Sequence, residues 1–324
     1  MRTSRRLSAV VLAAVVAAAA LAACSSAGSA PAAVAPAQEI PNSVLVPVFP
    51  TTVAASNGSV TVEREPTRIV SLDPTATEDL YAIGAGTQVV AVDQDSDYPP
   101  GAPVTSLSGL TPNIEAIAKY DPSLVVASQN SGGLVSGLGK LGVPVLIEPA
   151  VATLNAAYRQ IVQIGQATGH YNQATEVVRN MSEQINDTVR QVGASHRGAT
   201  YYWELSSNPY YSATSATFIG HIFDLFGLKN IADAAGKPAD GGYPQLSQEY
   251  IVSARPRLIF LADNQPADGG QSPAIVAGRP GWAGIPAVAD HHIFGLNDDI
   301  ASRWGPRLPR LVNEIASALA SATS

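Results

Sequence analysis

Short apolar runs alternate with helical stretches twice along this chain, and one long amphipathic stretch separates the two series. In the first series residues 68–72, 89–92, 124–127 and 143–147 are rich in β-branched side chains and too short for helices. Helices are predicted between them over 75–83, 111–120 and 134–141, the second with Thr111 as N-cap and Pro112 at its first position. The second series predicts strands over 200–203, 257–261 and 292–296, and helices over 218–226 and 308–320. Runs that are apolar on both faces and alternate with helices imply parallel sheets covered on both sides. The separating stretch predicts helices over 154–167 and 171–192, broken at Thr168-Gly169-His170. In the second of these, Ala174, Val177, Val178, Met181, Ile185, Val189 and Val192 recur at steps of three or four, so one face is buried. At about 1.5 Å per residue it makes a rod of ~33 Å, about the width of a small lobe. The expected fold is α/β: two Rossmann-like lobes with parallel-type sheets, joined by one long rigid helix, with a cleft between them. The expected boundaries are 58–150 for the first lobe, 151–194 for the helical segment and 195–324 for the second lobe.

The N-terminus sets the compartment. Arg2, Arg5 and Arg6 precede an apolar run over 7–21 that is shorter than the ~20 residues of a membrane-spanning helix. It ends in Leu21-Ala22-Ala23-Cys24, the layout of a secretory signal with a cleavage site. That ending resembles the bacterial lipobox, and Cys24, the one cysteine in 324 residues, is the expected lipidation site. Residues 1–23 then form a signal peptide and 24–57 a lipidated flexible tether, rich in Ala, Ser and Pro. No intramolecular disulfide can form, so packing alone must hold the fold. Loss of the three leader arginines takes the formal charge from −7 to −10. So acidic a surface argues against nucleic acid, and a lipid on Cys24 would anchor the chain to a membrane rather than embed it.

The two series also share a finer template. Asn113-Ile114-Glu115-Ala116-Ile117 leads to Asp121-Pro122-Ser123-Leu124, and Ser247-Gln248-Glu249-Tyr250-Ile251 leads to Arg255-Pro256-Arg257-Leu258. In each, the glutamate is followed by Ile at +2, Pro at +7 and Leu at +9. A glutamate in a first helical turn is favoured by the helix dipole by ~0.3–1 kcal/mol and needs no function. The duplication adds another reading: matched charges on two lobes suit a partner that grips both.

Several segments, in order over about 66–320, resemble the class III periplasmic binding proteins, which bind vitamin B12, ferric siderophores or haem for ABC importers. They are Arg68-Ile69-Val70-Ser71-Leu72-Asp73-Pro74-Thr75-Ala76-Thr77-Glu78, Ser96-Asp97-Tyr98-Pro99-Pro100, Tyr243-Pro244-Gln245-Leu246-Ser247-Gln248-Glu249 and Ala301-Ser302-Arg303-Trp304-Gly305-Pro306-Arg307. The pattern is closest to the family's vitamin B12-binding members. The resemblance implies a monomeric, extracytoplasmic lipoprotein that is no enzyme and needs no cofactor. It would capture a small metal chelate (a ferric siderophore or cobalamin-type corrinoid) and hand it to an ABC permease and its ATPase. It also places Glu115 and Glu249 where the family docks onto permease arginines.

Ligands of open α/β sheets sit at the C-terminal ends of the strands. The expected ligand-binding residues are therefore Asp73, Pro74, Asp95 and Gln129 in the first lobe, and Trp203, Glu204, Tyr210, Tyr211, Asp299, Arg303 and Trp304 in the second. The aromatic rings offer flat area to a macrocycle or aryl chelator, and Arg303 a partner for a carboxylate or catecholate. Gly109, Asp95 and Ser128 or Gln129 stand where the vitamin B12 binders carry aromatic residues. The first-lobe clamp is thus missing, and a siderophore of neutral or positive character fits equally well. The alternatives are a haem receptor, a bare zinc or manganese receptor and a non-transport sensor of the same fold. The five histidines (170, 196, 221, 291 and 292) are scattered, and no protein metal site is expected. Gly133-Leu134-Val135-Ser136-Gly137 lacks the spacing of a hydrolase nucleophile elbow.

Overall fold

The computed structural model describes residues 48–264 and 270–322. The leader, Cys24 and most of the expected tether lie outside them.

The first lobe is a five-stranded sheet built of β3 (Ile69–Leu72), β4 (Val89–Asp93), β5 (Val104–Leu107), β6 (Leu124–Ala127) and β7 (Val145–Ile147), after an N-terminal hairpin of β1 (Thr51–Ala55) and β2 (Gly58–Val62). Its order is β5-β4-β3-β6-β7, and every pairing is parallel. Helices α1 (Pro74–Ala82), α2 (Ile114–Ala118) and α3 (Leu134–Gly139) connect the strands. Next come α4 (Leu154–Thr168) and α5 (Tyr171–Val192). The second lobe holds β8 (Thr200–Glu204), a small ribbon of β9 (Ser206–Ser207) and β10 (Tyr210–Tyr211), α6 (Phe218–Asp224), β11 (Lys229–Asn230), α7 (Gln248–Ala254) and β12 (Leu258–Leu261). It continues with α8 (Pro273–Ala277), α9 (Pro286–Ala289), β13 (Ile293–Gly295), α10 (Asp298–Ala301) and α11 (Leu308–Ser321). Its sheet, also parallel, runs β11-β8-β12-β13. In both sheets the lobe's first strand is flanked by the next long-range strand on one side and by the Leu124 or Leu258 strand on the other. The duplication seen in the sequence is thus a duplication of topology.

Side-chain alternation explains how the sheets pack. Leu124 and Val126 of β6, Tyr201 and Trp203 of β8, and Leu258 and Phe260 of β12 all enter one apolar core that runs through both lobes. Val125 and Ala127 face a private core of the first lobe. Tyr202, Ile259 and Leu261 face a private core of the second, around Trp282. The shared core exists because α5 reaches both lobes. Ala174 near its start lies beneath Gly165 of α4, where an added Cβ would sit 2.4 Å from the alanine. Near its end the Thr188 hydroxyl donates to Asn313 Oδ1 of α11 at 2.8 Å.

Three details differ from the sequence expectations. The tether expected through residue 57 gives way to strand at Thr51, because Val53 is buried and the Ser56-Asn57 turn pins the hairpin to the β7 edge. There Asn57 donates to Val145 O at 2.9 Å and accepts from Ile147 N–H at 3.1 Å. Helix α2 starts at Ile114, not at Thr111, because Asn113 Oδ1 accepts Ala116 N–H at 2.9 Å while Thr111 turns back to Ser108. Strand β5 carries no apolar alternation, its one buried residue being Leu107.

A core shared by both lobes should unfold as one unit. Replacing Ile185, fully buried on α5, by alanine is expected to remove about 2–5 kcal/mol and to lower a single calorimetric transition. Two resolved transitions, with only one shifted, would contradict the shared core.

Candidate functional site

The two sheets approach each other at the C-terminal ends of their strands. After β13 the chain makes α10 and then the turn Ser302–Arg307, and that turn crosses to the first lobe. Arg303 donates to Glu78 Oε1 of α1 at 3.0 Å, to Asp97 Oδ1 at 3.0 Å and to the Asp95 carbonyl at 3.3 Å. It also pairs with Asp299 at 2.5 Å. Arg307 donates to both oxygens of Glu78, to Oε2 at 2.7 Å and Oε1 at 2.5 Å, and to Asp299 Oδ2 at 2.7 Å. Its guanidinium lies 4.2 Å over the Tyr98 ring. Trp304 Nε1 donates to Gln160 Oε1 of α4 at 2.8 Å. The Ser96–Tyr98 loop that meets these arginines is held from below by buried hydroxyls. Ser96 Oγ bonds Thr77 Oγ1 at 2.9 Å and donates to Asp93 Oδ1 at 2.5 Å.

Beside this seam the second lobe opens into a cavity of about 610 Å³ at the ends of β8 and β12. Trp203, Phe218, Ile219 and Tyr243 give it aromatic and apolar walls, and Asp263 and Asp298 are its charged side chains. No lysine, arginine or histidine lines it among the described residues. Burial, reinforced by Glu204, pushes the Asp263 carboxyl up to about 6.

The first-lobe edge is acidic too. Asp73 caps α1, its Oδ2 accepting Ala76 N–H at 2.8 Å, and burial lifts its carboxyl to about 6. Glu148, just past β7, is 4 % exposed with Oε1 unpartnered, and burial, then Asp73, pushes it up to about 8. Asp79 is 2 % exposed with Oδ1 unpartnered, and burial among Asp73, Glu78 and Glu148 drives it well above the usual carboxylate range.

The structure thus sorts the expected ligand-binding residues into three groups. Trp203 lines the cavity, and Asp73 and Pro74 open α1 at the cleft edge. Asp95 is exposed beside the seam, and half-buried Gln129 reaches the Gly109 carbonyl at 3.5 Å. Arg303, Asp299 and Trp304 tie the lobes together rather than projecting into the cavity, since two of them are spent on ion pairs and the third on Gln160. Glu204, fully buried, is held by Arg279 through two bonds of 2.5 and 2.6 Å. Tyr210 packs against Trp282 at a tilt, ring centroids 5.8 Å apart, and Tyr211 is exposed and bridges to Gln245. The sequence reading missed Glu78, Arg307 and Asp97 as a lobe-joining set, and Asp263, Phe218 and Tyr243 as cavity walls. Glu78, Asp97, Arg307 and Tyr243 lay within the quoted motifs, whose fixed charges were the available signal. Among the described residues no group of three or more His, Cys, Asp or Glu could hold a metal ion, and no helix is long and apolar enough to cross a membrane.

Two parallel-sheet lobes braced by helices, with a cavity at the strand ends of the second lobe beside the seam, define a two-lobed binding protein. The chain belongs to the periplasmic binding protein family, whose model matches residues 69–300. It is 30% identical over 282 residues to the uncharacterized ABC transporter substrate-binding lipoprotein YvrC of Bacillus subtilis, covering 84% of this chain and 86% of that one. Among solved structures, the periplasmic vitamin B12-binding protein BtuF of Vibrio cholerae aligns with a TM-score of 0.65 and 28% identity, covering 80% of this chain and 99% of BtuF. A possible iron-binding periplasmic solute-binding protein of Staphylococcus epidermidis aligns with a TM-score of 0.68 and 26% identity, over 79% and 99%.

The buried acids make stability pH-dependent with a definite sign. Glu148 keeps its proton in the folded chain up to about pH 8 but, unfolded, loses it near 4.5. Above 4.5 the unfolded state therefore binds fewer protons, and stability falls as the pH rises toward 8. Thermal melts across that interval are expected to show the fall, and Glu148→Gln to flatten it. An unaltered pH slope in the variant would show that Glu148 ionises freely.

Proposed function

We propose that this chain is the lipid-anchored, extracytoplasmic substrate-binding component of an ABC importer and that its cargo is a small metal chelate, a ferric siderophore or a cobalamin-type corrinoid. The observation that carries this reading is the cavity of about 610 Å³ walled by Trp203, Phe218 and Tyr243. Flat aromatic walls suit one face of a macrocycle or a bulky chelate, whereas a bare ion needs converging ligands. The relatives support it: one carries the name of an ABC substrate-binding lipoprotein and another that of a vitamin B12-binding protein. The chain binds and releases; nothing in the reading calls for catalysis. The direct test is equilibrium binding of aquocobalamin, haem and a panel of ferric siderophores to the purified chain. Failure of all of them to bind removes the proposal.

Docking onto the permease falls to Glu115 and Glu249. Both are exposed, and both occupy the second position of the helix that leads into the equivalent strand, β6 or β12. The turns that follow match as well, with left-handed Asp121 (φ 47°) before Pro122 and left-handed Arg255 (φ 49°) before Pro256. Because α2 and α7 run back toward the starts of their strands, their N-termini lie toward the cleft edge of each lobe. Exposed charges of this kind steer and orient a partner more than they bind it. The double variant Glu115→Lys, Glu249→Lys is expected to lose uptake while keeping ligand affinity; normal uptake would sink the assignment. Cys24→Ala is expected to move the protein from the membrane to the soluble extracytoplasmic fraction, and continued membrane association after salt washing would argue for another anchor.

A further inference from the structure

We infer that the cleft selects a chelate carrying net positive charge and that Asp263 gives up a proton when such a chelate binds. This rests on the chelate reading above and adds the charge of the cargo and a proton linkage.

The cavity combines aromatic faces with carboxyls and lacks any cationic side chain. Trp203, Phe218 and Tyr243 offer π surfaces, Asp263 and Asp298 are the charged groups, and no lysine, arginine or histidine lines it among the described residues. Aromatic faces and carboxylates together recognise cations. Asp263 Oδ1 has no hydrogen-bond partner. Its neighbours leave its charge poorly compensated. Glu204 opposes it, and Arg279, the cation nearby, is already held by both oxygens of Glu204 and by Gln271 at 2.8 Å. The Ser207 hydroxyl and its own backbone N–H favour its charged form, and the Tyr202 ring also lies within its field. Across the seam Arg303 and Arg307 are taken by Glu78, Asp97 and Asp299, while burial keeps the Asp79 and Glu148 carboxyls protonated and Arg303 acts on Asp73 only from a distance. An anionic tricatecholate chelate entering the cavity meets the carboxyls of Asp263 and Asp298 and no cationic side chain among the described lining residues. A cationic chelate meets the unpartnered Asp263 Oδ1, and the charge it brings favours ionisation of Asp263, whose carboxyl burial has pushed up to about 6. Affinity for the cation therefore rises as the pH climbs through that value.

Two ligand pairs of matched shape and different charge test this. Aquocobalamin is positively charged and cyanocobalamin neutral, on one corrin. A ferric trihydroxamate bearing a free ammonium group is cationic, and its N-acetylated form is neutral. Isothermal titration of the intact chain near pH 6, in two buffers of different ionisation enthalpy, reads affinity and proton release together. Within whichever pair binds, the cationic member is expected to bind on the order of tenfold more tightly and to release protons. In Asp263→Asn the preference is expected to shrink and the proton release to fall. Equal or tighter binding of the neutral member, or cation binding without proton release, overturns the inference and leaves the chelate reading standing. Absence of binding by all four, confirmed with haem and an anionic tricatecholate, overturns the chelate reading and this inference with it. Tight binding of the tricatecholate alone overturns the inference only.

Discussion

Glu78 is the point on which the arrangement of the lobes depends. Its carboxylate is 2 % exposed and lies on the first helix of the first lobe, yet both of its cationic partners come from the far end of the chain, 225 and 229 residues away. A buried carboxylate is tolerable only when its charge is matched and its lone pairs are filled. Opening the seam would strand the Glu78 carboxylate while Arg303 and Arg307 kept only Asp299, a penalty of about 3–5 kcal/mol by the measure of broken buried pairs. The Trp304–Gln160 bond and the shared core around α5 act in the same direction. The rim of the cavity is therefore held in place by interactions that involve no ligand, so little ordering of the protein need accompany binding.

That arrangement is a consequence of duplication. Each lobe turns its strand C-termini toward the other, and each brings carboxyls there: Asp73, Asp93 and Glu148 from one, Glu204, Asp263 and Asp299 from the other. Where these carboxyls ionise they repel one another, and arginines offset the repulsion at two places. Arg279 neutralises Glu204 inside the second lobe, stacking over Trp282 at 4.6 Å and Tyr210 at 5.3 Å, and Arg303 with Arg307 joins the lobes. Away from those places acid remains in excess. The price is stability at neutral pH, since Asp79 and Glu148 each hide a carboxyl oxygen that nothing bonds. Buried groups kept against stability in this way gather at functional sites.

Much of the scaffold was legible because its signals are local. The β6 segment Leu124–Ala127 and helix α5 over Tyr171–Val192 match the expected spans, one because four apolar residues are bounded by Pro122 and a polar stretch, the other because its apolar steps never break. Strand β5 was not legible, because an edge strand with one buried residue has no alternation to read. The first strand of the hairpin hid in an Ala/Ser/Pro-rich stretch that otherwise reads as tether. The site was harder for a different reason. Arg303 looked like a ligand group because a guanidinium suits a carboxylate or catecholate, and nothing near it in sequence names Glu78 as its partner. Glu204 looked available because its partner Arg279 lies 75 residues away. Residue type could point to the cleft edge; only the folded chain decides which charges cancel there.

That residue 109 of the first lobe is a glycine has a structural cause. A Cβ added at Gly109 would sit 2.2 Å from the Leu72 carbonyl and 3.0 Å from Asp93 Oδ2, so backbone and carboxyl already fill the space a side chain would need. Changing buried Gly109 to an aromatic residue would displace β3. The aromatic surface of the cavity comes from the second lobe, where Trp203 is fixed against Phe223 at 5.7 Å and Phe218 opens a helix capped by Thr217. The two lobes are alike in topology and unlike in chemistry: the second supplies aromatic surface around its cavity, the first a set of buried carboxyls beside the seam.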